Sequence, residues 1–456
     1  MTTSSVLTSS TDTYNPGIVE LITQMRRKGQ LAFFMDAWHD YGDLAHLRLG
    51  TRDMFLVVHP DAVRHVNVTR SDNYDKRESY DSVRELLLGD GLVSSRGDLW
   101  RRQRRLMAPF FTPRAIEQYL PVFIADTQAM IDRWNRLGAQ DQPVELGDEM
   151  MMLTAAVILH TMFSTESSDD MLDIKAAVET MISYTASGQQ NPVQLPRWMP
   201  TPANRRYFKA RELVFTYIKV LLDQRRALPM DQWPDDLLSK LILTRDEETG
   251  EAMSDSLLRD ESITIFVAGH ETTARTLTFM FYALSQNPQV ERRMVDEING
   301  VLGDRQPTVA DLKKLPYTLQ VIKETLRLYP AAPIYARDVV ADDDVCGVHI
   351  PGGARVMPFP YATHRHPDFW PDPERFDPDR WTPEAEAARH PYAFHAFAAG
   401  KRICLGNNFS LLESHVIAAM LVPRFQLRLA PRHQPQVDMA GTITSKNGMP
   451  MLIERR

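Results

Sequence analysis

Cys404 is one of only two cysteines in the 456 residues, and its neighbours give it a chemical setting that Cys346 lacks. It sits in Phe397-Ala-Ala-Gly400-Lys401-Arg402-Ile-Cys404-Leu-Gly406, directly before the largely apolar run Leu411 to Leu421. If that run is a helix, the sulfur lies near its open N-terminus, where unpaired N–H groups and the positive end of the dipole favour a thiolate, the form that binds iron. Gly400 and Gly406 let the backbone turn tightly and approach a flat ligand, and Arg402 adds a cation at the same edge. A cysteine without such neighbours is ordinarily a small buried hydrophobe. Here the glycines and the arginine point to haem iron held by sulfur.

Three further groupings carry polar residues where packing alone would choose others. Ile263 to Leu284 is apolar on nearly all sides, the pattern of a helix through a protein interior. Its middle places Gly269, His270, Glu271, Thr272 and Thr273 together, and threonine oxygens bonding carbonyls one turn back beside a glycine predict a local bulge. His270-Glu271 opens a zinc-type H-E-x-x-H, but Ala274 occupies the second histidine's position, so zinc is excluded. In Lys323-Glu324-Thr325-Leu326-Arg327, Glu324 and Arg327 lie one turn apart on a helix that should end before Pro330. In Trp100-Arg-Arg-Gln-Arg104-Arg, an indole N–H and a guanidinium one turn apart share one side of a helix, a geometry for binding a carboxylate.

The elements that must hold these groups are mostly helical. Leu47 to Val58 reads as two short strands around a Gly-containing turn and Pro60 to Val68 as a short helix; helical patterns then run to Leu328. Strand-like pieces return at Tyr335 to Val340, His349-Ile350 and Val356 to Pro358. Pro358 to Trp381 is dense in proline, yet Tyr361, Phe369, Trp370, Phe376 and Trp381 interleave with it, which predicts ordered coil packed on the body. Residues 1–15 are polar and expected to be disordered. They show no signal peptide, and no run is apolar enough for a membrane span. Apolar residues at 43% and charged residues at 24% mark a globular chain, and a net charge of -7 gives no support to nucleic-acid binding. Two cysteines are too few for a disulfide framework and suit a cytoplasmic setting.

The string F-x-x-G-x-R-x-C-x-G, with Phe397, Gly400, Arg402, Cys404 and Gly406 in its fixed positions, resembles the haem-thiolate signature of the cytochrome P-450 family. Ala268-Gly-His-Glu271-Thr272-Thr is similar to that family's oxygen-activating segment, in which an acid and an alcohol relay protons to dioxygen. Glu324-x-x-Arg327 is like its second hallmark, and Pro373-Glu-Arg375-Phe resembles the partner motif whose arginine completes a buried triad. The spacing of Trp100 and Arg104 looks like its propionate-binding helix, and Arg337 and Arg402 match the remaining propionate contacts. From Trp100 to Gly406 these motifs span roughly two thirds of the sequence.

The resemblance implies a mainly α fold with minor β sheets, the cytochrome P-450 fold, as a single domain over residues 1–456. It implies haem b with an axial Cys404 thiolate, and dioxygen as co-substrate. The reaction would be a monooxygenation, hydroxylating or epoxidising an apolar small molecule, with electrons from a separate ferredoxin or flavodoxin and its reductase. A peroxygenase driven by hydrogen peroxide and a non-catalytic haem sensor are the alternatives. By position in the family, the pocket would be lined from Tyr80 to Val93, Met181 to Trp198, Val267, Ala268, Ala332 to Ile334 and Thr442 to Thr444, with Leu86, Leu87, Leu88, Ile334 and Ile443 making it apolar. Arg52 is a candidate carboxylate anchor, and fatty acid, terpenoid and polyketide substrates stay open. Arg101, Arg102, Arg105 and Lys401 form a basic cluster suited to docking an acidic redox partner.

Overall fold

A computed structural model describes residues 13–15, 18–49, 52–137, 142–164, 168–190 and 196–456. Of the first 15 residues, 1–12 lie outside the described residues; Tyr14 is bridged to Leu47, its N–H donating to the His46 carbonyl. Helices dominate the middle of the chain and most strands fall near its ends. By its internal contacts the chain divides into two units: Met1–Ser79, Thr127–Met150 and Thr272–Arg456 form the first, Tyr80–Asp126 and Met151–Glu271 the second.

The first unit holds the sheets. β1 (Leu44–Leu49) and β2 (Arg52–Val57) form the expected hairpin, with Leu44 opposite Val57. β3 (Tyr74–Asp75), β5 (Arg337–Val339) and β8 (Arg355–Pro358) complete a five-stranded sheet in the order β1-β2-β8-β5-β3, with β2 parallel to β8 and the other pairs antiparallel. Alternate side chains of β2 enter different cores: Met54 and Leu56 join Phe34, Trp38 and Phe359, whereas Phe55 and Val57 join Val63, Val356 and Ile350. That period of two buries both faces and fixes the register. β4 (Val144–Glu145), β12 (Pro450–Arg455) and β9 (Phe425–Leu429) make a second sheet. β10 (Val437–Ala440) and β11 (Thr442–Ser445) pair with each other. β6 (Asp343–Val345) and β7 (Val348–Ile350) meet through a two-residue turn, Cys346-Gly347, both at positive φ. In the proline-dense segment Trp370 and Trp381 are buried and in ring contact, as ordered coil requires.

The second unit is helical, with Gly97–Met107, Ser168–Gln190, Pro202–Ala227, Leu237–Leu243 and most of Leu146–Phe163. Thr201 caps Pro202–Ala227, accepting from the Asn204 N–H, with proline at the first helical position where its missing N–H costs nothing. Tyr207 from that helix stacks on Tyr184 and donates to the Leu86 carbonyl at 2.9 Å, which ties the leucine segment to the helices. Among the described residues one helix, Leu146–Phe163, is long and apolar enough to cross a membrane by composition, and 72% of it is buried inside the protein, as in a core helix.

Candidate functional site

The loop around Cys404 takes its shape from backbone bonds within the first unit. The Cys404 N–H donates to the Phe397 carbonyl at 2.9 Å and the Ile403 N–H to the Gly400 carbonyl at 3.1 Å, which presents an exposed thiol just ahead of the Asn407–Leu421 helix. Gly400 has φ +64, and a Cβ there would overlap the Asn67 carbonyl oxygen. Gly406 is different: its φ of -84 suits any residue, and a Cβ there would meet nothing within 4 Å. Neither conformation nor packing asks for glycine at this position.

Charge gathers at the same place. Arg402 pairs with Asp75 at 2.7 Å, and Arg337 is buried with its guanidinium over the Tyr335 ring. Lys76, next to Asp75, has its pKa held well below the ordinary lysine value, first by burial and then by Arg337 and Arg402, while Asp75 and Cys404 act in the opposite sense. Arg337, Arg402 and the Lys76 amine thus gather around the one carboxylate of Asp75, close to an exposed thiol. That donor set fits a flat, iron-containing group with two carboxylates. Lys76 went unrecognised in the sequence because Asp75-Lys76 reads there as an ordinary surface pair.

The long helix runs unbroken as Asp255–Gln286, so the bulge expected at Gly269 does not form. The glycine serves packing instead: a Cβ there would lie 2.6 Å from Cδ1 of Ile158. His270 is fully buried, its Nδ1 bonded to the Phe266 carbonyl at 2.6 Å, and burial lowers its pKa so that it stays neutral. The His270 carbonyl accepts from Thr154 at 2.8 Å and the Thr272 carbonyl from Thr276 at 3.0 Å. The expected site face is more open. Ala268 is exposed, and Val267, Glu271 and Thr272 are half-buried, in a stretch otherwise mostly buried. Among the described residues no group of three or more His, Cys, Asp and Glu side chains is placed to hold a metal ion.

Glu324 and Arg327 are fully buried and joined by two bonds, Nε to Oε2 at 2.8 Å and Nη2 to Oε1 at 2.9 Å. Arg327 also donates to the carbonyls of His364, Pro373 and Arg375, and Glu324 accepts from the Asp377 N–H and the Trp381 indole. The third member is not the Arg375 guanidinium, which is exposed; that residue offers only its carbonyl. Arg380 takes the place, with Nε 3.5 Å from Glu324 Oε1. The correction has a plain cause: Pro373-Glu-Arg375-Phe376 and Pro378-Asp-Arg380-Trp381 are the same P-x-R-aromatic pattern five residues apart, and the coil turns only the second inward.

In the second unit Trp100 and Arg104 lie one turn apart on Gly97–Met107, both half-buried, and Leu88 is buried. The basic cluster is largely neutralised. Arg101 pairs with Asp98, Arg102 with Glu251, and Arg105 with Asp246 and Glu248. In the first unit Lys401 pairs with Asp72, and Arg52 with Glu78 at 2.6 Å, which weakens its reading as a carboxylate anchor. Ile443 is buried and its N–H donates to the Ala331 carbonyl at 3.0 Å, which brings the strand pair β10-β11 to the half-buried Ala332 and Ile334. Of Met181 to Trp198, residues 191–195 lie outside the described residues.

The cytochrome P450 family profile matches residues 15–451. Cyclooctat-9-en-7-ol 5-monooxygenase of Streptomyces melanosporofaciens is 34% identical over 399 residues, covering 87% of this chain and 85% of its own. Pentalenene oxygenase of Streptomyces avermitilis is 32% identical over 421 residues, covering 91% of each. Among solved structures, the cytochrome P450DA heme domain superposes with a TM-score of 0.89 at 27% identity, covering 97% of this chain and 98% of that one.

Proposed function

The chain belongs to the cytochrome P450 family and is a haem-thiolate monooxygenase acting on apolar substrates; from that premise we propose how its own residues divide the work. Cys404 would ligate the haem iron, a role for which Cys346, in a tight turn with its pKa raised by burial and by Asp61 and Asp344, is poorly suited. In the first unit Lys76, Arg337 and Arg402, and in the second Trp100 and Arg104, would be the donors to the haem propionates. Phe397, Gly400 and Gly406 shape the loop, and Ala268 leaves room for the ring face. When bound, the haem supplies activation of dioxygen, so that one oxygen atom enters a C–H or C=C bond and the other leaves as water.

The chain supplies position, protons and dryness. The Thr272 hydroxyl would hold a proton for the dioxygen co-substrate, and the Glu271 carboxyl would replenish it. The apolar residues assigned to substrate are Leu88 and Val267 in the second unit and Ala332, Ile334 and Ile443 in the first. The relatives' names, an alkene and an unsaturated alcohol, favour a largely hydrocarbon substrate carrying at most an isolated hydroxyl over a fatty acid, and the Arg52–Glu78 pair agrees with that choice. Electrons come from a separate ferredoxin or flavodoxin with its reductase, in the cytoplasm, as the kinship with bacterial oxygenases suggests. The observation that carries the assignment of residues is the exposed Cys404 in the same neighbourhood as Arg337 and Arg402. Turnover of a cyclic alkene with such a redox pair under isotopically labelled dioxygen tests the reading: one labelled atom in the product supports it, and equal turnover with hydrogen peroxide alone points to a peroxygenase.

A further inference from the structure

Outside the residues assigned so far, buried polar groups concentrate where the turn Gly89–Leu92 crosses the first half of the long helix, all within the second unit. Asp260 Oδ2 accepts the Asp90 N–H at 2.9 Å, and Glu261 Oε2 accepts the Leu92 N–H at 3.1 Å. Both carboxyls are buried, Glu261 completely. Gly89, at φ +55, leaves no space for a side chain against the Asp260 carboxylate, and a Cβ at Gly91 would overlap Thr264 Oγ1. The turn therefore lies flat on residues 260–264. From the other side, Gln103 donates to the Asp90 carbonyl at 2.6 Å and Ser94 to the Gly89 carbonyl at 2.7 Å.

The position of this clamp gives it a consequence for chemistry. The turn directly follows the buried Leu86–Leu88 and is followed by Gly97–Met107, which carries Trp100 and Arg104. Glu261 stands seven residues before Ala268, two turns along the same helix face. We propose that Glu261 is a positioning residue for the oxygenation site: its carboxyl pins the turn that joins the leucine wall of the pocket to the propionate-binding helix. The roles of Leu88, Trp100 and Arg104 in this proposal rest on the cytochrome P450 reading above.

The charges around the clamp explain how it works. Arg259 bonds Asp260 Oδ1 at 2.7 Å and Arg84 bonds Asp90 at 2.6 Å, so those two carboxylates are compensated. Glu261 has only the Leu92 N–H; its Oε1 is buried without a partner, and Asp260 is a like charge beside it. Burial first, with Asp260 adding to it, pushes its pKa up to about 8, against the Leu92 bond, so the pinned form is the neutral acid. Releasing the turn would hydrate the carboxyl, return its pKa towards the ordinary value of 4.5 and expel a proton. The opening equilibrium should thus rise by about 50-fold between pH 6 and pH 8 and level off above.

Hydrogen exchange of the haem-loaded protein reads this directly. Protection at Asp90 and Leu92, corrected for intrinsic rates, should fall by about 50-fold from pH 6 to pH 8 in the wild type. In Glu261→Gln it should stay flat. Glu261→Leu, and Gly91→Ala acting from the turn side, should both lose protection and bind the pyridine ligand metyrapone at least about tenfold more weakly, as a cost of about 1.4 kcal/mol implies. Glu261→Gln should restore that affinity. The proposal is overturned if wild-type protection shows no pH dependence beyond that of Glu261→Gln, or if either disruptive variant that loads haem binds metyrapone as the wild type does. The carbon monoxide spectrum of each sample separates these results from failure of the haem reading itself, in which no thiolate band forms in any sample.

Discussion

Replacing Glu324 by glutamine keeps the side chain's shape and removes its charge, which isolates what the buried pair contributes. Glu324 and Arg327 are both fully buried. The carboxylate accepts four hydrogen bonds, two from Arg327, one from the Asp377 N–H and one from the Trp381 indole, all between 2.8 and 3.0 Å. In the variant an amide NH2 faces donors and the Arg327 guanidinium is left without a counter-ion in the interior. Stranding one partner of a buried pair costs about 3 to 5 kcal/mol. Domain stabilities of about 5 to 15 kcal/mol make that a large fraction of the total. Urea unfolding of haem-loaded protein should show this loss as a lower midpoint at unchanged slope, with reduced haem content on expression. Glu324→Leu with Arg327→Met removes both charges, so the double change should cost at least about 2 kcal/mol less than the sum of the single ones, the coupling expected of residues in direct contact. An unshifted midpoint with full haem in Glu324→Gln would show that the pair contributes nothing and refute this reasoning.

Arg375→Ala should leave the urea midpoint within about 0.5 kcal/mol of wild type, since only its carbonyl is used, whereas Arg380→Ala should destabilise measurably. Ala398 adopts φ +58 in the cysteine loop, where a non-glycine residue costs roughly 1 kcal/mol or more, so Ala398→Gly should raise the thermal midpoint. Gly400→Ala should impair haem incorporation, because its Cβ would overlap the Asn67 carbonyl. Burial holds His395 near a pKa of about 3 and His415 near about 4, so both are neutral in the fold and protonated in the unfolded chain below about pH 6.5. Stability should be fully present above that pH and fall on acidification by about 1.4 kcal/mol per unit for each, down to its folded pKa; His415→Gln should flatten part of that slope. Thr272→Ala should keep substrate affinity and reduction rate while diverting electrons to hydrogen peroxide, measured as less product per reduced nicotinamide consumed.

The elements around the site were legible where one physical pattern had one solution. The apolar run around Gly269 admits a core helix, the strand-like halves of Leu47 to Val58 around a Gly-containing turn admit a hairpin, and interleaved aromatics require the proline-dense coil to pack. Loop chemistry at Cys404 was legible because glycine, arginine and cysteine stand within a few residues. What stayed hidden depends on contacts between distant segments. Two like P-x-R-aromatic strings cannot be ranked until the coil is folded, and the need for glycine at 269 comes from the distant Ile158, which a Cβ there would meet. Arg102 and Arg105 read as free cations because their carboxylates lie about 140 to 150 residues further along the chain. Lys76 and Glu261 gave no signal at all: one charged residue in a polar stretch gains meaning only when tertiary packing buries it.

The absorption spectrum of the reduced, carbon monoxide-bound protein tests the central claim most directly. Wild type and Cys346→Ser should show the red-shifted Soret band of thiolate-ligated haem, and Cys404→Ser should lose it. Persistence of that band in Cys404→Ser, or its loss in Cys346→Ser, would contradict the assignment of Cys404 as the iron ligand.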